Sequence, residues 1–155
     1  CTPAHQMKFF RLLLKDLLSL FRDDKELHLM RFSFPEEIPT IMKIAEEYFS
    51  KGDIEYPVNP YALLLAIREA EKGRKGFEFG IISANNTDLE TQCRYACETI
   101  VNNVKRFYRQ IEEKDFITFL GSRYAPIGAD NDPNNLNANW VRNVQFFYNQ
   151  FTGGK

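Results

Sequence analysis

The chain has 155 residues, of which 44% are hydrophobic and 14% aromatic, and its formal net charge is −1. This length and composition indicate one globular domain with a substantial core and exclude a disordered chain. Because acidic and basic residues nearly balance and no apolar run approaches the ~20 residues of a membrane span, the sequence predicts no nucleic-acid partner and no transmembrane segment.

Residues 1–56 are predicted to form an N-terminal helical segment packed on a domain over residues 57–155, the two making one globular unit. Residues 7–21 carry apolar side chains at helical spacing between charged ones, which predicts an amphipathic helix. Such a helix packs on its own domain or, alternatively, binds a membrane surface, a virion or a cell-envelope partner. Cys1 fits either a lipoprotein cysteine or the start of a fragment.

Two further helices are predicted before the middle of the chain. Apolar residues recur at spacings of three and four over residues 36–49. Asn59 is a suitable N-cap for the next helix, which we expect to run from Pro60 to Lys72 and to end at Gly73 in a left-handed conformation. The body of this second helix is apolar on almost every side, so we predict that the other helices enclose it.

Two glutamates occupy the last turn of this central helix. At about 100° per residue, Glu71 falls inside the apolar sector, whereas Glu69 projects to the basic side shared with Lys72. A carboxyl in apolar surroundings, at the negative end of a helix dipole, has a raised pKa, as a general acid requires. The alternative is that Glu71 forms a salt bridge with Arg74 or Lys75.

The segment after the central helix contains two glycines and alternating apolar residues. Phe77, Phe79 and Ile81 alternate within residues 74–83, which predicts a short extended segment or β-hairpin. Glu78 lies in this segment, and we interpret it either as a second carboxylate across a cleft or as a solvated strand residue.

The longest helix is predicted to start at a capping box, Thr87 to Glu90. Cys93 and Cys97 lie on its apolar stripe, and we interpret them as small buried hydrophobic residues in preference to a redox pair. The Cys, His and acidic residues have no metal-ligand spacing, so we predict no metal and no cofactor.

Two helices and a loop complete the chain. A short helix over residues 115–120 is predicted to position Tyr124, and residues 127–136 have the composition of a surface loop. The last helix is expected over residues 137–151, with Trp140 in the core.

Three short motifs follow one another in order. They are Ala70-Glu71-Lys72-Gly73 with Phe79-Gly80-Ile81, then Arg123-Tyr124-Ala125-Pro126, then Asn137, Trp140, Asn143 and Val144. Over residues 57–150, their order and spacing resemble the lysozyme-like peptidoglycan-cleaving enzymes, in particular the glucosaminidase and lytic transglycosylase branches and their phage-associated members.

This resemblance implies a mainly α, lysozyme-like domain with a small β-hairpin or extended segment next to the cleft. It implies that Glu71 is the catalytic acid, and we expect Glu78, Phe79, Gly80 and Tyr124 to contact the substrate. The expected partner is the glycan strand of peptidoglycan, cleaved at the β-1,4 bond between N-acetylmuramic acid and N-acetylglucosamine. The expected location is a phage virion or the bacterial cell envelope.

Several alternatives stay open at this stage. Because Glu78, Asp130 and Asp132 are unconvincing as second acids, a lytic transglycosylase is favoured over a hydrolase. Lys72 stands where the family often has Ser, which favours a non-catalytic glycan-binding or virion structural module on the same fold. A helical partner-binding protein acting through residues 7–21 is a third possibility.

Basic residues surround the predicted acid. Arg68, Lys72, Arg74 and Lys75 would together favour the anionic groups of peptidoglycan over neutral chitin. The alternative is an ordinary solvated basic turn.

Overall fold

The computed structural model describes residues 27–110, 114–124 and 139–153. All regular secondary structure in these ranges is helical, which confirms the mainly α class. The α-helices are α1 (Ile38–Phe49), α2 (Pro60–Glu71), α3 (Leu89–Phe107), α4 (Phe116–Tyr124) and α5 (Trp140–Phe151), and short 3-10 helices cover Pro35–Glu37 and Ile82–Ala84. The predicted amphipathic helix at residues 7–21 and the predicted loop at residues 127–136 lie outside the described residues.

Helix α2 is the enclosed central helix that the sequence predicts. The side chains of Leu63, Leu64 and Ile67 are fully buried. Asn59 caps the helix, because its Oδ1 accepts hydrogen bonds from the backbone N–H groups of Tyr61 and Ala62. The cap at its start and burial along its length fix α2 in place, and this fixes the position of its last residues.

The left-handed residue at the end of α2 is Lys72, with φ 46° and ψ 34°, and not Gly73 as predicted. Gly73 serves a different purpose. A Cβ added to it would lie 2.6 Å from the carbonyl carbon of Phe77, so only glycine lets the following turn fold back so closely.

The segment between α2 and α3 consists of turns, and no β-strand occurs among the described residues, so the predicted hairpin is not found there. Backbone hydrogen bonds close one turn from Phe77 to Arg74 and the next from Gly80 to Phe77. These two bonds are local to the segment and need no strand partner, and a side chain of α3 satisfies further backbone groups.

Gln92, a fully buried residue of α3, holds this segment in place. Its Oε1 accepts hydrogen bonds from the backbone N–H groups of Phe79 and Ile81, both at 3.1 Å. Its Nε2 donates to the carbonyls of Ile81 and Ala84, both at 2.9 Å. One side chain thus satisfies four backbone groups, which fixes residues 79–84 against α3.

The N-terminal cap of α3 differs from the predicted capping box. Asp88 is the cap, because its Oδ1 accepts the backbone N–H of Thr91 at 2.7 Å. The Thr87 hydroxyl instead donates to the Ala84 carbonyl at 2.6 Å. Both residue types favour N-caps, and the one nearer to the helix occupies the position.

One hydrophobic core contains residues from both sides of the predicted boundary at residue 56. Leu27 and Phe32 belong to the same cluster as α2 and α5. Cys93 and Cys97 are buried free thiols in it, as predicted. Within the described part of the chain, no helix has both the length and the apolar character that a membrane crossing requires.

Candidate active site

Glu71, the last residue of α2, is half-buried. Burial raises its pKa, and a hydrogen bond from Trp140 opposes this rise only in part. Trp140 Nε1 donates to Glu71 Oε1 at 2.9 Å. Oε2 accepts no hydrogen bond from the described residues.

Helix α5 brings Trp140 to Glu71 because it runs antiparallel to α2. Near the C-terminal end of α5, the Tyr148 hydroxyl accepts the backbone N–H of Asn59 at the start of α2, at 3.0 Å. Trp140 begins α5 and is only 6% exposed. Its indole N–H therefore reaches the opposite end of α2, where Glu71 lies.

Tyr124, at the end of α4, stacks on Trp140 with 5.0 Å between ring centroids and 28° between ring planes. Its hydroxyl donates to the Phe79 carbonyl at 2.6 Å. Burial, with a smaller contribution from the charge of Glu71, raises the pKa of Tyr124 well above its ordinary value. Tyr124 is thus a neutral donor that joins α4 to the segment facing Glu71.

Gly80 lies directly against the Glu71 carboxyl group. Its φ is +70°, and a Cβ added to it would lie 2.7 Å from Glu71 Cδ. A side chain at this position would displace the carboxyl, so glycine is required here for space as well as for its backbone conformation. The structure therefore brings Gly80, Tyr124 and Glu71 into one site.

Phe79 contributes through its backbone alone. Its ring is fully buried, its N–H is bound to Gln92, and its carbonyl is bound to Tyr124. A ring in the core offers no face on which a sugar could stack.

Glu78 is 3% exposed, so the interpretation as a solvated strand residue is wrong. Its Oε1 accepts the backbone N–H of Gly76 at 3.0 Å, which stabilises the turn that contains it. Glu78 lines a surface cavity of about 700 Å³ together with Glu37 and Arg68, and Glu71 is not part of that lining. The two carboxyl groups therefore face different spaces.

Arg68 is a structural residue and not one of the free charges that the sequence predicts around the acid. It is 2% exposed, and its Nε and Nη2 bind both carboxylate oxygens of Glu37 at 2.7 and 3.1 Å. Its Nη1 donates to the carbonyls of Gly73 and Glu78, and its guanidinium stacks 3.6 Å from the ring centre of Phe34. The exposed cations near the end of α2 are Lys72, Arg74 and Lys75.

Glu69, predicted to lie on the side of α2 shared with Lys72, is buried in the structure. It is 2% exposed, and its Oε1 accepts the backbone N–H of Ser33 at 3.0 Å. Because α2 is enclosed all round, the face that carries Glu69 is covered by the segment before α1.

The sequence interpretation did not predict two contacts of this site. These are the hydrogen bond from Trp140 to Glu71 and the hydrogen bonds of Gln92 to the backbone of residues 79–84. Trp140 is the single tryptophan of the chain and belongs to the last motif. A buried indole N–H usually finds an acceptor, so a search for a nearby carboxyl could have found this pair. No sequence pattern around Gln92 indicates that its side chain binds the backbone of residues 79–84.

The comparisons with known proteins identify no relative of this chain. None of the family models, curated proteins or solved structures compared with the chain matches it. Among the described residues, no group of three or more His, Cys, Asp or Glu side chains could hold a metal ion. Any assignment of function therefore depends on the motifs and on the geometry around Glu71.

Proposed function

We propose that the protein is a peptidoglycan-cleaving glycosidase with a lysozyme-like domain, in which Glu71 is the general acid. The observation that carries this proposal is the state of the Glu71 carboxyl. It is half-buried with a raised pKa, and its Oε2 has no partner among the described residues. A carboxyl with a raised pKa keeps its proton to higher pH than an ordinary glutamate and can protonate a glycosidic oxygen.

The reaction starts with transfer of the Glu71 proton to the oxygen of the β-1,4 bond between N-acetylmuramic acid and N-acetylglucosamine. The bond from this oxygen to C1 of the muramic acid breaks, and an oxocarbenium-like centre forms at C1. Glu71 is then a carboxylate, able to accept a proton from the group that captures C1.

Capture by the 6-hydroxyl of the muramic acid is favoured over capture by water. Glu78, the nearest acidic candidate in sequence, is bound to Gly76 N–H and lines a different cavity. Asp130 and Asp132 lie outside the described residues. With a single acid, the 6-hydroxyl attacks C1 and returns its proton to Glu71, which forms a 1,6-anhydro product.

Substrate contacts in this scheme come from the Gly80 side of the carboxyl. Gly80 lies against Glu71, and Tyr124 holds the Phe79 carbonyl beside it. The exposed cations Lys72 and Arg74 support a preference for the carboxylates of peptidoglycan over neutral chitin. Comparable cleavage of chitin oligomers and peptidoglycan would remove this preference. A peptidoglycan substrate would agree with a location in a phage virion or at the bacterial cell envelope.

The proposal is tested by adding the protein to a suspension of purified cell-wall sacculi and measuring the fall in turbidity. We expect the wild type to clear the suspension and Glu71→Gln to lose about 10²- to 10⁴-fold of the rate, because the amide has the same shape but donates no acidic proton. Glu98→Gln, on the exposed face of α3, is the control and should clear like the wild type. Glu69→Gln would be a poor control, because Glu69 is buried and binds the backbone N–H of Ser33, so its substitution would also affect stability.

The turbidity experiment also decides between catalysis and the alternative of a non-catalytic glycan-binding or virion structural module. Wild-type protein that sediments with sacculi but never clears them would support the alternative. Equal clearing by wild type and Glu71→Gln would mean that another residue is the acid.

A further inference from the structure

Trp140 contacts the Glu71 carboxyl through a group that can only donate. An indole has one N–H and no acceptor, so Glu71 Oε1, at 2.9 Å from Nε1, must be the acceptor of this bond. In a protonated carboxyl, the carbonyl oxygen is the better acceptor and the hydroxyl oxygen is the donor. The bond from Trp140 therefore distinguishes two oxygens that would otherwise be equivalent.

We infer that Trp140 is a positioning residue that holds Oε1 of Glu71 as the acceptor and so leaves Oε2 to carry the transferable proton. Oε2 is the oxygen without a hydrogen-bond partner among the described residues. The inference rests on the proposed function for its catalytic meaning, but the hydrogen bond that carries it can be measured without any activity.

The indole is rigidly placed, as a positioning residue must be. Tyr124 stacks on it, and Gly121, one turn earlier on the same face of α4, lets the ring approach closely. A Cβ added to Gly121 would lie 3.0 Å from Trp140 Cε3. Helix α4 thus holds the indole at two points, one turn of helix apart.

Gly80 also limits where the carboxyl group of Glu71 can lie. Gly80 lies against the same carboxyl, and any side chain there would occupy the space of its oxygens. Gly80 therefore leaves the carboxyl the space that it needs to hold Oε1 towards Trp140.

The hydrogen bond also acts on the proton affinity of Glu71. Burial disfavours the carboxylate, whereas a donor at Oε1 stabilises it, so Trp140 limits the rise of the Glu71 pKa. Removal of the N–H should raise this pKa further. A general acid works only while protonated, so its alkaline limb would then move to higher pH.

The test replaces the N–H and changes little else. Benzothienylalanine at position 140 has sulfur in place of the N–H and retains the bicyclic shape, and Trp140→Phe is the genetically simpler variant. The Glu71 carboxyl is followed by carbon-13 NMR during a pH titration, with Glu71→Gln to assign its signal. We expect a higher Glu71 pKa in both altered proteins than in the wild type.

With sacculi as substrate, the same proteins should show kcat lowered about 10- to 100-fold, as expected for a misplaced catalytic group, with KM little changed. The alkaline limb of the kcat profile should move to higher pH, which mere destabilisation would not cause. A Glu71 pKa that is unchanged or lower in the benzothienylalanine protein overturns the inference, whatever the activity. If the wild type cleaves nothing, the proposed function fails while the pKa measurement still decides the role of Trp140.

Discussion

Trp140 Nε1 donates a hydrogen bond to Glu71 Oε1 across 69 positions of the chain. The pair joins the last residue of α2 to the first residue of α5. It leaves one carboxyl oxygen bound and the other without a partner among the described residues. A carboxyl with one fixed and one available oxygen is suited to transfer its proton in one direction.

The single tryptophan of the chain provides a direct measurement of this pair. Because Trp140 binds the Glu71 carboxyl, its fluorescence should change as that carboxyl titrates. We expect a midpoint above the ordinary pKa of a glutamate, since burial raises the Glu71 pKa. The measurement is tryptophan emission from pH 3 to pH 8.

Glu71→Gln is the control for the fluorescence titration, because its amide oxygen can still accept the indole N–H but does not ionise. Its emission should be flat over the same pH range. A transition that persists in Glu71→Gln would mean that another group titrates near Trp140.

The same carboxyl makes stability depend on pH. A carboxyl whose pKa is raised in the folded state binds its proton more tightly there than in the unfolded chain, so the stability it contributes is present below the unfolded pKa and lost as pH rises through the folded pKa. Glu71→Gln removes this loss. We expect its Tm to equal or exceed that of the wild type at pH 7.

The Tm difference between Glu71→Gln and the wild type should shrink towards pH 4, where both side chains are neutral. Scanning calorimetry at both pH values measures it. A variant clearly less stable than the wild type at pH 7 would contradict the raised pKa.

Substitution of Gly80 tests the close packing against Glu71. Gly80→Ala adds a Cβ at φ +70°, which costs about 1–2 kcal/mol of backbone strain, and the new atom displaces the carboxyl. We expect the fold to survive and the clearing of sacculi to fall about 10²-fold, because the acid is misplaced. Gly52→Ala is the matched control, since its Cβ would meet nothing within 4 Å. Equal activity of the two variants would show that Gly80 has no part in the site.

Arg68 is predicted to affect stability and not substrate binding. Arg68→Met leaves the half-buried Glu37 carboxylate without its bidentate partner and frees the carbonyls of Gly73 and Glu78, which costs about 1–3 kcal/mol. Arg94→Met, which breaks exposed pairs with Glu47 and Glu90, should cost less than about 1 kcal/mol. Urea unfolding of both variants makes the comparison. Similar stabilities would contradict the structural role of Arg68.

The sequence predicts those features of the fold that depend on neighbouring residues. Asn59 and Pro60 mark the start of α2, and the all-round apolar pattern indicates its enclosure; each of these signals is local. The burial of Glu71 is predicted for the same reason, because the helical spacing of the sequence places this carboxyl inside the apolar sector of α2.

The features that were missed depend on contacts between distant segments. The Glu71 to Trp140 bond requires the antiparallel packing of α5 on α2, and the Gln92 contacts require a turn folded onto α3. The burial of Glu69 does not follow from helical direction, because direction does not reveal that Ser33 covers that face. Lys72 takes the left-handed position, and Gly73 allows the close approach to Phe77, a contact between turns that local pattern does not reveal.

Mass spectrometry of the fragments released from purified sacculi tests the central claim most directly. We predict that the wild-type protein releases fragments ending in 1,6-anhydro-N-acetylmuramic acid, that Glu98→Gln releases the same fragments, and that Glu71→Gln releases almost none. Fragments that end in reducing N-acetylmuramic acid would retain Glu71 as the acid but replace the 6-hydroxyl with water. A purified, folded wild-type protein that releases no fragments, or a Glu71→Gln variant that releases as many as the wild type, would contradict the account.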